Sequence, residues 1–548
     1  MPTGNWSTRL SAASLAPEPS SPSLARSAAS AGAATITSRI LGVVREQVIA
    51  AYFGAGFATD AYQVAFRIPN LLRDLFAEGA MSAAFVPTFT RHMTASGKES
   101  AWRLGNHVVN ALIVVTGVLV ILGIIFAEPL ILAFAAEKYT SSPEKLSLTV
   151  QLARIMLPTL TLIAVAAAFM GMLNSLHHYF VPALSPAMFN VLTIVSAFAL
   201  VPVMPMFGLH PIVAIAIGTL LGGVAQLALQ WPTLHKEGFR YHVAIDWRDE
   251  GLRRMLTLMG PGAIGMAATQ VNVFVNTVLA TSTVEGAVSW LNYAFRLMYL
   301  PIGLFGVSIA TAALPTVSRQ TTQQDSSAAR DTVSSSLSLM LMLNIPATVG
   351  LMILAEPIVR VLLERGRFTH ADTVATAAAL QFYAVGLVGY SVVRIVSPIF
   401  YALGRNRTPV IVSVVVVLIN AGLNYLLVHT TFGYRGLALG TSIAALINAG
   451  TLLVLLRGHL QGLNEGRLLA SIAKIAVASL LMGAAAAWSH ELLGQWMRTD
   501  GFFAQALRLT IAIGFALFVL AASAWLLRIR EFNQGVALVT RRLRRPAR

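Results

Sequence analysis

The sequence contains no cysteine in its 548 residues, which excludes disulfides, thiol chemistry and cysteine-ligated metals. Charge is also scarce, because charged residues make up 11% of the chain, whereas soluble domains carry about 25%. There is no P-loop, no H-E-x-x-H or G-x-S-x-G motif, and no soluble stretch long enough for an ATPase domain. We therefore expect neither an ATP-driven pump nor a hydrolase of these motif classes, and we expect no cofactor.

Most of the chain is apolar. Hydrophobic residues make up 56% of the chain, and the mean hydropathy is +0.70. They fall in successive blocks of about 20 to 25 residues, the length that spans a bilayer as a helix. Because lipid offers the backbone no hydrogen-bond partners, we predict an all-α polytopic membrane protein. The predicted transmembrane helices, about fourteen in number, lie near 30–53, 59–91, 105–135, 147–175, 179–203, 210–234, 252–281, 284–318, 328–354, 371–403, 408–429, 434–457, 467–490 and 503–528.

Positive charge dominates the connections between the apolar blocks. The formal net charge is +16, and the basic residues lie mainly between blocks, which argues against nucleic-acid binding. With the amino terminus inside, the inner connections hold about 23 Lys and Arg and the outer ones about 7. This asymmetry predicts that both termini are cytoplasmic. Residues 1–29 are rich in Ser, Ala and Pro and are predicted to be a disordered cytoplasmic tail, and residues 529–548 a basic one.

The chain also contains an internal repeat. The sequence AFRIPNLLRDLFAEGAMSAAFVPTFTR at 65–91 matches AFRLMYLPIGLFGVSIATAALPTVSR at 294–319. Each copy has six predicted helices, so the copies share one orientation and enclose a central cavity. We predict an N-lobe at 30–235, a C-lobe at 250–459, and two further helices at 466–528 outside the repeat.

The first copy carries charges that a membrane helix holds at a high cost. One charge at the centre of a bilayer costs about 2.5–3.5 kcal/mol, so these residues must face protein or water. The second copy keeps Arg296 at the position that matches Arg67, and Arg394 lies in a later helix. The charges of the first copy are Arg39, Arg45, Glu46, Asp60, Arg67, Arg73, Asp74 and Glu78.

The excess of arginine indicates the chemistry of the ligand. A guanidinium stays charged at any relevant pH and binds phosphate through two parallel hydrogen bonds. A water-filled cavity ringed by arginines therefore suits an anionic, phosphorylated substrate. Structural ion pairs and snorkelling side chains are the alternative for each arginine taken alone, but pairing cannot absorb the positive excess of the whole cluster.

Several segments of the chain resemble the MurJ (MviN) family of bacterial lipid II flippases. They include SRILGVVRE, FGAGFATDAYQVAFRIPNLLRDLFAEGAMSAAFVPTFTR, NYAFRLMYLPIGLFGVSIATAALP and LLERGRFTHADT, and the likeness runs from about 35 to 460. The resemblance implies a transporter, not an enzyme. It would move lipid II, the undecaprenyl-diphosphate-linked peptidoglycan precursor, from the cytoplasmic to the periplasmic leaflet of the bacterial inner membrane by alternating access. The last two helices would then form a groove for the lipid tail.

The same resemblance implies roles for single residues. The family's essential charged positions match Arg39, Arg45, Asp60, Arg73 and Arg296, and we expect these residues to bind substrate. We expect Glu46, Glu78 and Arg394 to support them. Phe295 stands beside Arg296 where some relatives have Asp, so we expect this arginine to lack a neighbouring counter-ion.

The sequence gives a weaker signal for a coupling ion than for the substrate. Some members of the family bind sodium through an acidic residue in helix 11, but this chain has amides there, which puts a sodium site in doubt. Asparagines inside helices are more often interhelical hydrogen-bond partners. We expect transport to use a sodium or proton gradient or the membrane potential, without ATP. The candidate sodium ligands are Asn272, Asn420, Asn424 and Thr441, and Asn276 lies one helical turn from Asn272.

Other functions stay open at this point. One alternative is an exporter of a drug or of another lipid-linked oligosaccharide on the same fold. Another is a polyprenyl-phosphate-dependent membrane glycosyltransferase, which would need a carboxylate pair or a metal site and a sizeable catalytic loop. The longest loop, about 235–252, shows no such set. We expect lipid II and membrane lipids as partners, function as a monomer, and an association with the cell-wall synthesis machinery.

Overall fold

The computed structural model describes residues 22–74, 80–303, 307–323, 325–497 and 501–533, and these ranges contain helices but no strand. The prediction of an all-α protein is therefore confirmed. The α-helices are α1 (Pro22–Phe53), α2 (Phe57–Arg73), α3 (Ala80–Ile125), α4 (Ala127–Phe134), α5 (Glu137–Thr140), α6 (Pro143–Met156), α7 (Thr159–Ser175), α8 (Phe180–Leu200), α9 (Val213–Lys236), α10 (Glu250–Thr281), α11 (Ala287–Pro301), α12 (Val307–Thr322), α13 (Ser326–Ile353), α14 (Ala355–Leu363), α15 (His370–Ala402), α16 (Arg407–Val428), α17 (Tyr434–Leu460), α18 (Glu465–Trp496) and α19 (Phe502–Leu526).

Ten stretches of the described residues are long and apolar enough to cross a membrane, so this is an integral membrane protein. The predicted number of about fourteen spans stays a prediction. Helices α1, α2, α10 and α11 are not among the ten, and three of these four carry the charges singled out above. The ten are Ala84–Ile125, Pro143–Ser175, Phe180–Leu200, Val213–Lys236, Ser327–Ile353, His370–Ala402, Arg407–Val428, Tyr434–Leu460, Glu465–Trp496 and Phe502–Leu526.

Two predicted boundaries are wrong. The helix predicted at 59–91 covers most of α2, which contains Pro69, and the first part of α3, and residues 75–79 between them lie outside the described residues. The loop predicted after Arg91 is shorter in the structure: helical residues reach Gly97 from both sides, and Gly97 itself is not helical, with a φ of 82° and a ψ of 175°. Glycine allows this positive φ without steric cost, so α3 consists of two helices that meet at this residue. At the amino terminus, α1 begins at Pro22, and proline is well suited to the first turn of a helix.

Helix packing repeats between the two halves of the chain. In the first half α8 packs on α1 and on α9, and α7 packs on α3 and on α9. In the second half α16 packs on α10 and on α17, and α15 packs on α13 and on α17. The predicted two-lobe architecture is therefore confirmed, while six spans in each lobe and the exact domain limits stay predictions. Helices α18 and α19 pack on each other, and α18 also packs on α13.

Glycines at matching positions of the two lobes allow neighbouring helices to pack closely. A methyl group on Gly218 of α9 would lie 2.8 Å from the Ser196 side chain of α8. A methyl group on Gly440 of α17 would overlap the Asn424 side chain of α16. Small residues let membrane helices approach closely in this way. The two lobes thus share the same glycine-mediated helix contacts as well as the same order of helices.

Candidate functional site

A cavity of about 370 Å³ lies between the two lobes. One wall is α1 and the facing wall is α11, with the end of α14 beside them. The charged residues on the wall come from both lobes, which is the arrangement that the repeat predicts. The lining residues are Arg39, Gly42, Val43, Glu46, Tyr293, Phe295, Arg296, Leu297, Tyr299, Leu300, Leu362 and Leu363.

Arg45, Glu46 and Arg296 form a charged group at this cavity, which we call the Glu46 cluster. Glu46 Oε1 accepts a hydrogen bond from Arg45 Nη2 at 2.6 Å and forms an ion pair with Arg296 Nη1 at 2.7 Å. Arg45 and Glu46 are each 7% exposed, and the Arg45 guanidinium lies 5.4 Å from the centre of the Phe189 ring. One carboxylate therefore serves two guanidiniums from opposite lobes, and the cluster keeps a net positive charge.

The expectation that Arg296 lacks a counter-ion is wrong. Its own helix offers none at Phe295, but α1 of the other lobe supplies Glu46. Arg296 Nε also donates to Asn292 Oδ1 at 2.8 Å, one turn earlier in α11. These bonds orient the guanidinium, and 38% of its side chain stays exposed. A ligand in the cavity can therefore reach Arg296 without displacing the surrounding helices.

Two further arginines add positive charge near the Glu46 cluster. Arg39 lines the cavity, and Arg67 lies on α2 within electrostatic range of Arg296. Neither has a hydrogen-bond or ion-pair partner among the residues that the structure describes. Because a guanidinium without a partner attracts any anion that enters, the positive excess predicted from the sequence is present in the folded protein.

The remaining predicted cations are held by neighbours. Arg73 Nε and Nη2 donate to Asp74 Oδ1 at 3.0 and 2.8 Å at the end of α2. Arg394 of α15 donates to the Tyr299 hydroxyl and lies over the Tyr299 ring. Glu78 lies outside the described residues. Roles in substrate binding for Arg73 and Arg394 stay predictions.

Asp60 is buried away from the cavity, where α2 of the N-lobe meets the start of α11 in the C-lobe. Its carboxylate accepts from Gly286 N at 2.8 Å, from Ser289 N at 3.1 Å and from Ser289 Oγ at 2.6 Å. Lys145 of α6 lies 3.3 Å from Asp60 Oδ2 and 3.7 Å from Glu285 Oε2. We call these five residues the Asp60 cluster. Asp60 caps the amino-terminal end of a helix in the opposite lobe, where a negative charge is favourable.

The Asp60 cluster changes the reading of two residues. Asp60 is 2% exposed and accepts hydrogen bonds from the opposite lobe, so the geometry favours a contact between lobes; a small cavity of about 170 Å³ lies beside Asp60, Lys145 and Glu285. The predicted substrate-binding role of Asp60 stays a prediction. Lys145 was missed, because it follows Ser142-Pro143 in what reads as a polar loop end. The sequence did contain a signal for it: Ser142-Pro143 is typical of a helix start, and this start places Lys145 in the first turn of α6.

Backbone contacts reinforce this junction between the lobes. Arg367 N, in the loop after α14, donates to Ala51 O of α1 at 2.9 Å. Gly54 has a φ of 66°, and a side chain there would lie 2.5 Å from Arg367 O. Gly366 has a φ of 61° and packs equally tightly on Ala51 O. Glycine is needed at both positions by conformation and by space.

The sodium candidates form part of a polar chain between helices. Asn424 of α16 donates to Asn276 at 2.6 Å, and Asn276 donates to Asn272 at 2.8 Å. Thr441 donates to Leu437 O at 2.7 Å. The Oδ1 atoms of Asn420 and Asn424 are buried without a partner in the described part of the chain. This neutral set fits interhelical hydrogen bonding, and it offers no carboxylate to balance a cation, so the sodium site stays a prediction.

Comparison with known proteins gives one consistent family. The family model described as "Lipid II flippase MurJ" matches residues 49–506. A "Probable lipid II flippase MurJ" of Vibrio cholerae is 33% identical over 507 residues, which cover 91% of this chain and 95% of the relative. One of Rhizobium meliloti is 35% identical over 471 residues, covering 84% of this chain and 86% of the relative.

Solved structures agree with this result. The structure titled "Lipid II flippase MurJ, inward closed conformation" has a TM-score of 0.74 and 29% identity, covering 90% of this chain and 98% of that one. An inward-facing multidrug resistance MATE family transporter of the MOP superfamily has a TM-score of 0.68 at 18% identity, covering 78% of this chain and 96% of its own, which shows the shared fold. On the evidence of the family model and of these relatives, this chain belongs to the MurJ family.

Proposed function

We propose that this chain translocates lipid II from the cytoplasmic to the periplasmic leaflet of the bacterial inner membrane, with both termini in the cytoplasm. The observation that carries the proposal is the Glu46 cluster, in which arginines of opposite lobes share one carboxylate at the cavity wall. Family membership supplies the substrate class, and the cluster supplies a reason for it. A diphosphate is the type of group that can replace a carboxylate between two guanidiniums.

Binding begins with an exchange of partners at Arg296. The exposed part of this guanidinium and the unpaired Arg39 attract the diphosphate of the lipid. The phosphate oxygens then compete with Glu46 for Arg296, because both are anions that bind through charge-assisted hydrogen bonds. Each contact that Arg296 transfers from Glu46 to the substrate weakens a link between the lobes. Substrate binding thereby favours their separation.

The small volume of the cavity also requires the two lobes to separate. A cavity of about 370 Å³ is at the small end of ligand pockets, which run from about 300 to 1,000 Å³. It has room for the diphosphate, while the disaccharide and pentapeptide need the lobes to open. The polyprenyl tail stays in lipid, and α18 with α19 is the surface that we assign to it.

The Asp60 cluster is the contact that opening toward the periplasm must break. Its four hydrogen bonds or ion pairs to Gly286, Ser289 and Glu285 all join the N-lobe to the C-lobe. Breaking them on one side while the other side closes gives alternating access. No step in this cycle requires ATP, and a cation gradient or the membrane potential would drive it. The chain would work as a monomer, in association with the cell-wall synthesis machinery.

Binding and complementation together test the proposal. Arg39→Ala and Arg296→Ala should each abolish growth of a strain depleted of its own flippase, at normal membrane levels of the variant. Arg457→Ala is the matched control, since Arg457 pairs with Glu465 at the surface and its side chain is 64% exposed. Purified wild-type protein should bind lipid II more tightly than undecaprenyl phosphate or a cationic drug. Full rescue by both cavity variants, or preference for the drug, would contradict the proposal.

A further inference from the structure

The connection between the two lobes is fastened along one face of the N-lobe. Residues 239–248 join α9 to α10, and we call them the linker. Asn106 of α3 donates to Arg240 O at 2.9 Å and accepts from His242 N at 2.9 Å. Asn110 donates to His242 O at 2.8 Å and to Ala244 O at 3.2 Å. The backbone of the linker is thus bound to side chains of a single helix.

The spacing of these bonds shows that the linker is extended. From Asn106 to Asn110 the helix advances about 6 Å. The linker advances two residues over the same interval, from the pair at 240 and 242 to the pair at 242 and 244. Two residues cover about 6.6 Å in an extended chain. Side chains of an extended chain point alternately to opposite faces.

Both ends of the linker are fixed. Phe239 is fully buried and packs on Trp102, with ring centres 5.4 Å apart. Just before it, Glu237 accepts from Lys98 at 2.9 Å and contacts His178 at 2.9 Å. At the far end, Asp249 caps α10. The linker is therefore a held segment of the N-lobe surface, and its outward side chains have defined positions.

Alternation places apolar side chains on one face of the extended part of the linker. After the buried Phe239, the odd positions are apolar and exposed: Tyr241 by 40%, Val243 by 84%, Ile245 by 37% and Trp247 by 48%. The Tyr241 hydroxyl donates to Asn110 Oδ1 at 2.7 Å, which leaves its ring partly exposed, and Trp247 lies in the turn in which Asp249 N donates to Asp246 O. The even positions are mostly polar, and they are Arg240, His242, Ala244, Asp246 and Arg248. The two exposed rings and the side chains of Val243 and Ile245 form an apolar surface that water does not favour.

The position of the linker along α3 identifies what covers this face. His107 contacts Ala244 O at 3.2 Å. Residues seven apart on a helix share a face, and on this face His107 is followed by Val114, 43% exposed, and Ile121, 60% exposed. No residue from 104 to 127 is Asp, Glu, Lys or Arg. The linker therefore lies at the end of a lipid-facing stripe, about 10 Å along the helix from Val114.

We propose that the linker lies in the membrane–water interface, with Tyr241, Val243, Ile245 and Trp247 at the boundary of headgroups and acyl chains. Tryptophan and tyrosine favour this depth because their rings are apolar and their edges are polar. The even-numbered face then meets water and lipid phosphates, which suits Arg248, while Arg240 donates to the carbonyls of His235 and Phe239. The occupant of the apolar face is the bilayer, and the stripe through Val114 continues directly into it. This inference does not depend on which lipid the cavity transports.

Absence of native cysteine allows a direct test with one probe at a time. We would introduce Val243→Cys, attach an environment-sensitive nitrobenzoxadiazole fluorophore, and reconstitute the full chain in vesicles of phosphatidylethanolamine and phosphatidylglycerol. A share of the lipid carries a doxyl quencher high on its acyl chain. The matched control is His242→Cys, one residue away on the opposite face. Neither side chain is buried, so neither substitution disturbs packing.

The expected result is that the lipid quencher reduces fluorescence at 243 about twofold more than at 242, because an interfacial face enters about 5–10 Å into the boundary. Emission at 243 should also shift to the blue relative to 242. Equal quenching at both positions, or none at either, would overturn the proposal, since the linker would then lie in water or against protein. Stronger quenching at 242 would overturn the assignment of faces.

Discussion

Asp60→Asn should release the contact between the lobes while keeping the size of the side chain. The asparagine oxygen can still accept from Ser289. Its amide nitrogen then faces Gly286 N or Lys145 Nζ, and both of these are donors. Three hydrogen bonds to a carboxylate across the lobe junction thus become at most two bonds to a neutral group.

The free-energy cost of Asp60→Asn depends on which hydrogen bonds the closed state loses and which the open state loses. Asp60 and Lys145 both belong to the N-lobe, so weakening their pair destabilises closed and open states alike. The bonds to Gly286 and Ser289 join the lobes in the structure described here, which we call closed at this junction, and we expect them to be absent when the lobes separate there. Hydrogen bonds to a charged group contribute about 1.5–3 kcal/mol, and neutral ones about 1. The substitution should therefore cost the closed state about 3 kcal/mol relative to the open one, a shift of about 150-fold in their ratio.

Spin-label distances would measure this shift. Ser141, before α6 of the N-lobe, and Val284, before α11 of the C-lobe, are exposed, and the chain has no cysteine to interfere. Labels at these positions in a bilayer should show a longer distance population that is minor in the parent and major in Asp60→Asn. Asp331→Asn is the control, because Asp331 accepts from Asn464 at an exposed site. An unchanged distance distribution in a folded Asp60→Asn protein would refute the reasoning.

Three further substitutions probe other contacts. Glu46→Gln removes the charge shared by two arginines, so it should lower the unfolding temperature while lipid II raises that temperature more than it does in the parent. Gly303→Ala should impair transport, because a methyl group there overlaps the Arg39 guanidinium, whereas Gly422→Ala meets no atom within 4 Å and should be silent. Hydrogen bonds from Lys98 and His178 lower the pKa of Glu237, so its contribution to stability is full above its unfolded pKa of about 4.3 and is lost as the pH falls through the folded value.

Each expectation has a result that contradicts it. If lipid II stabilises Glu46→Gln less than the parent, phosphate does not replace this carboxylate. If Gly303→Ala transports as well as Gly422→Ala, the position of Arg39 is not set by that contact. For Glu237→Gln, the unfolding temperature should fall less steeply than that of the parent below about pH 4.3. Parallel curves for the two proteins would show that the hydrogen bonds of Glu237 add nothing to stability.

The fold was predictable because its signals are local. Apolar blocks of membrane length gave the helices, and Phe66-Arg67 against Phe295-Arg296 gave the repeat. The repeat in turn predicts that Arg296 faces the charged helices of the other lobe. The break in α3 at Gly97 lies inside the predicted loop, but the helix close to either side of it was not predicted, because the glycine and the charges around it are typical of a longer loop. Both parts of α3 pack on α7, which local sequence does not report.

The contacts between residues far apart in the chain could not be predicted from the sequence. Asp60, Arg67 and Asp74 recur every seven residues, which suggests one shared function. The structure separates Asp60 from the others because its partners, Lys145 and Ser289, come from segments far away in the chain. The alternating linker has a local signal at 241–247, but alternation is informative only once the segment is known to be extended. Its extension is set by Asn106 and Asn110 on another helix.

The charged first helix has a consequence for how the protein is made. Helix α1 carries Arg39, Arg45 and Glu46, and each charge costs about 2.5–3.5 kcal/mol in lipid. Its main packing partner is α8, but α1 ends at Phe53 and α8 begins at Phe180. Translation at about 5–20 residues per second leaves an interval on the order of ten seconds.

During that interval α1 lacks its main packing surface, which includes the Phe189 ring beside Arg45. Nascent chains arrested before α8 should release α1 from membranes on alkaline extraction, and chains that include α8 should retain it. Equal retention of both would contradict this order. We therefore expect the insertion machinery to shelter the amino-terminal hairpin until the fifth predicted span arrives, so that the protein assembles late and not by release of one helix at a time.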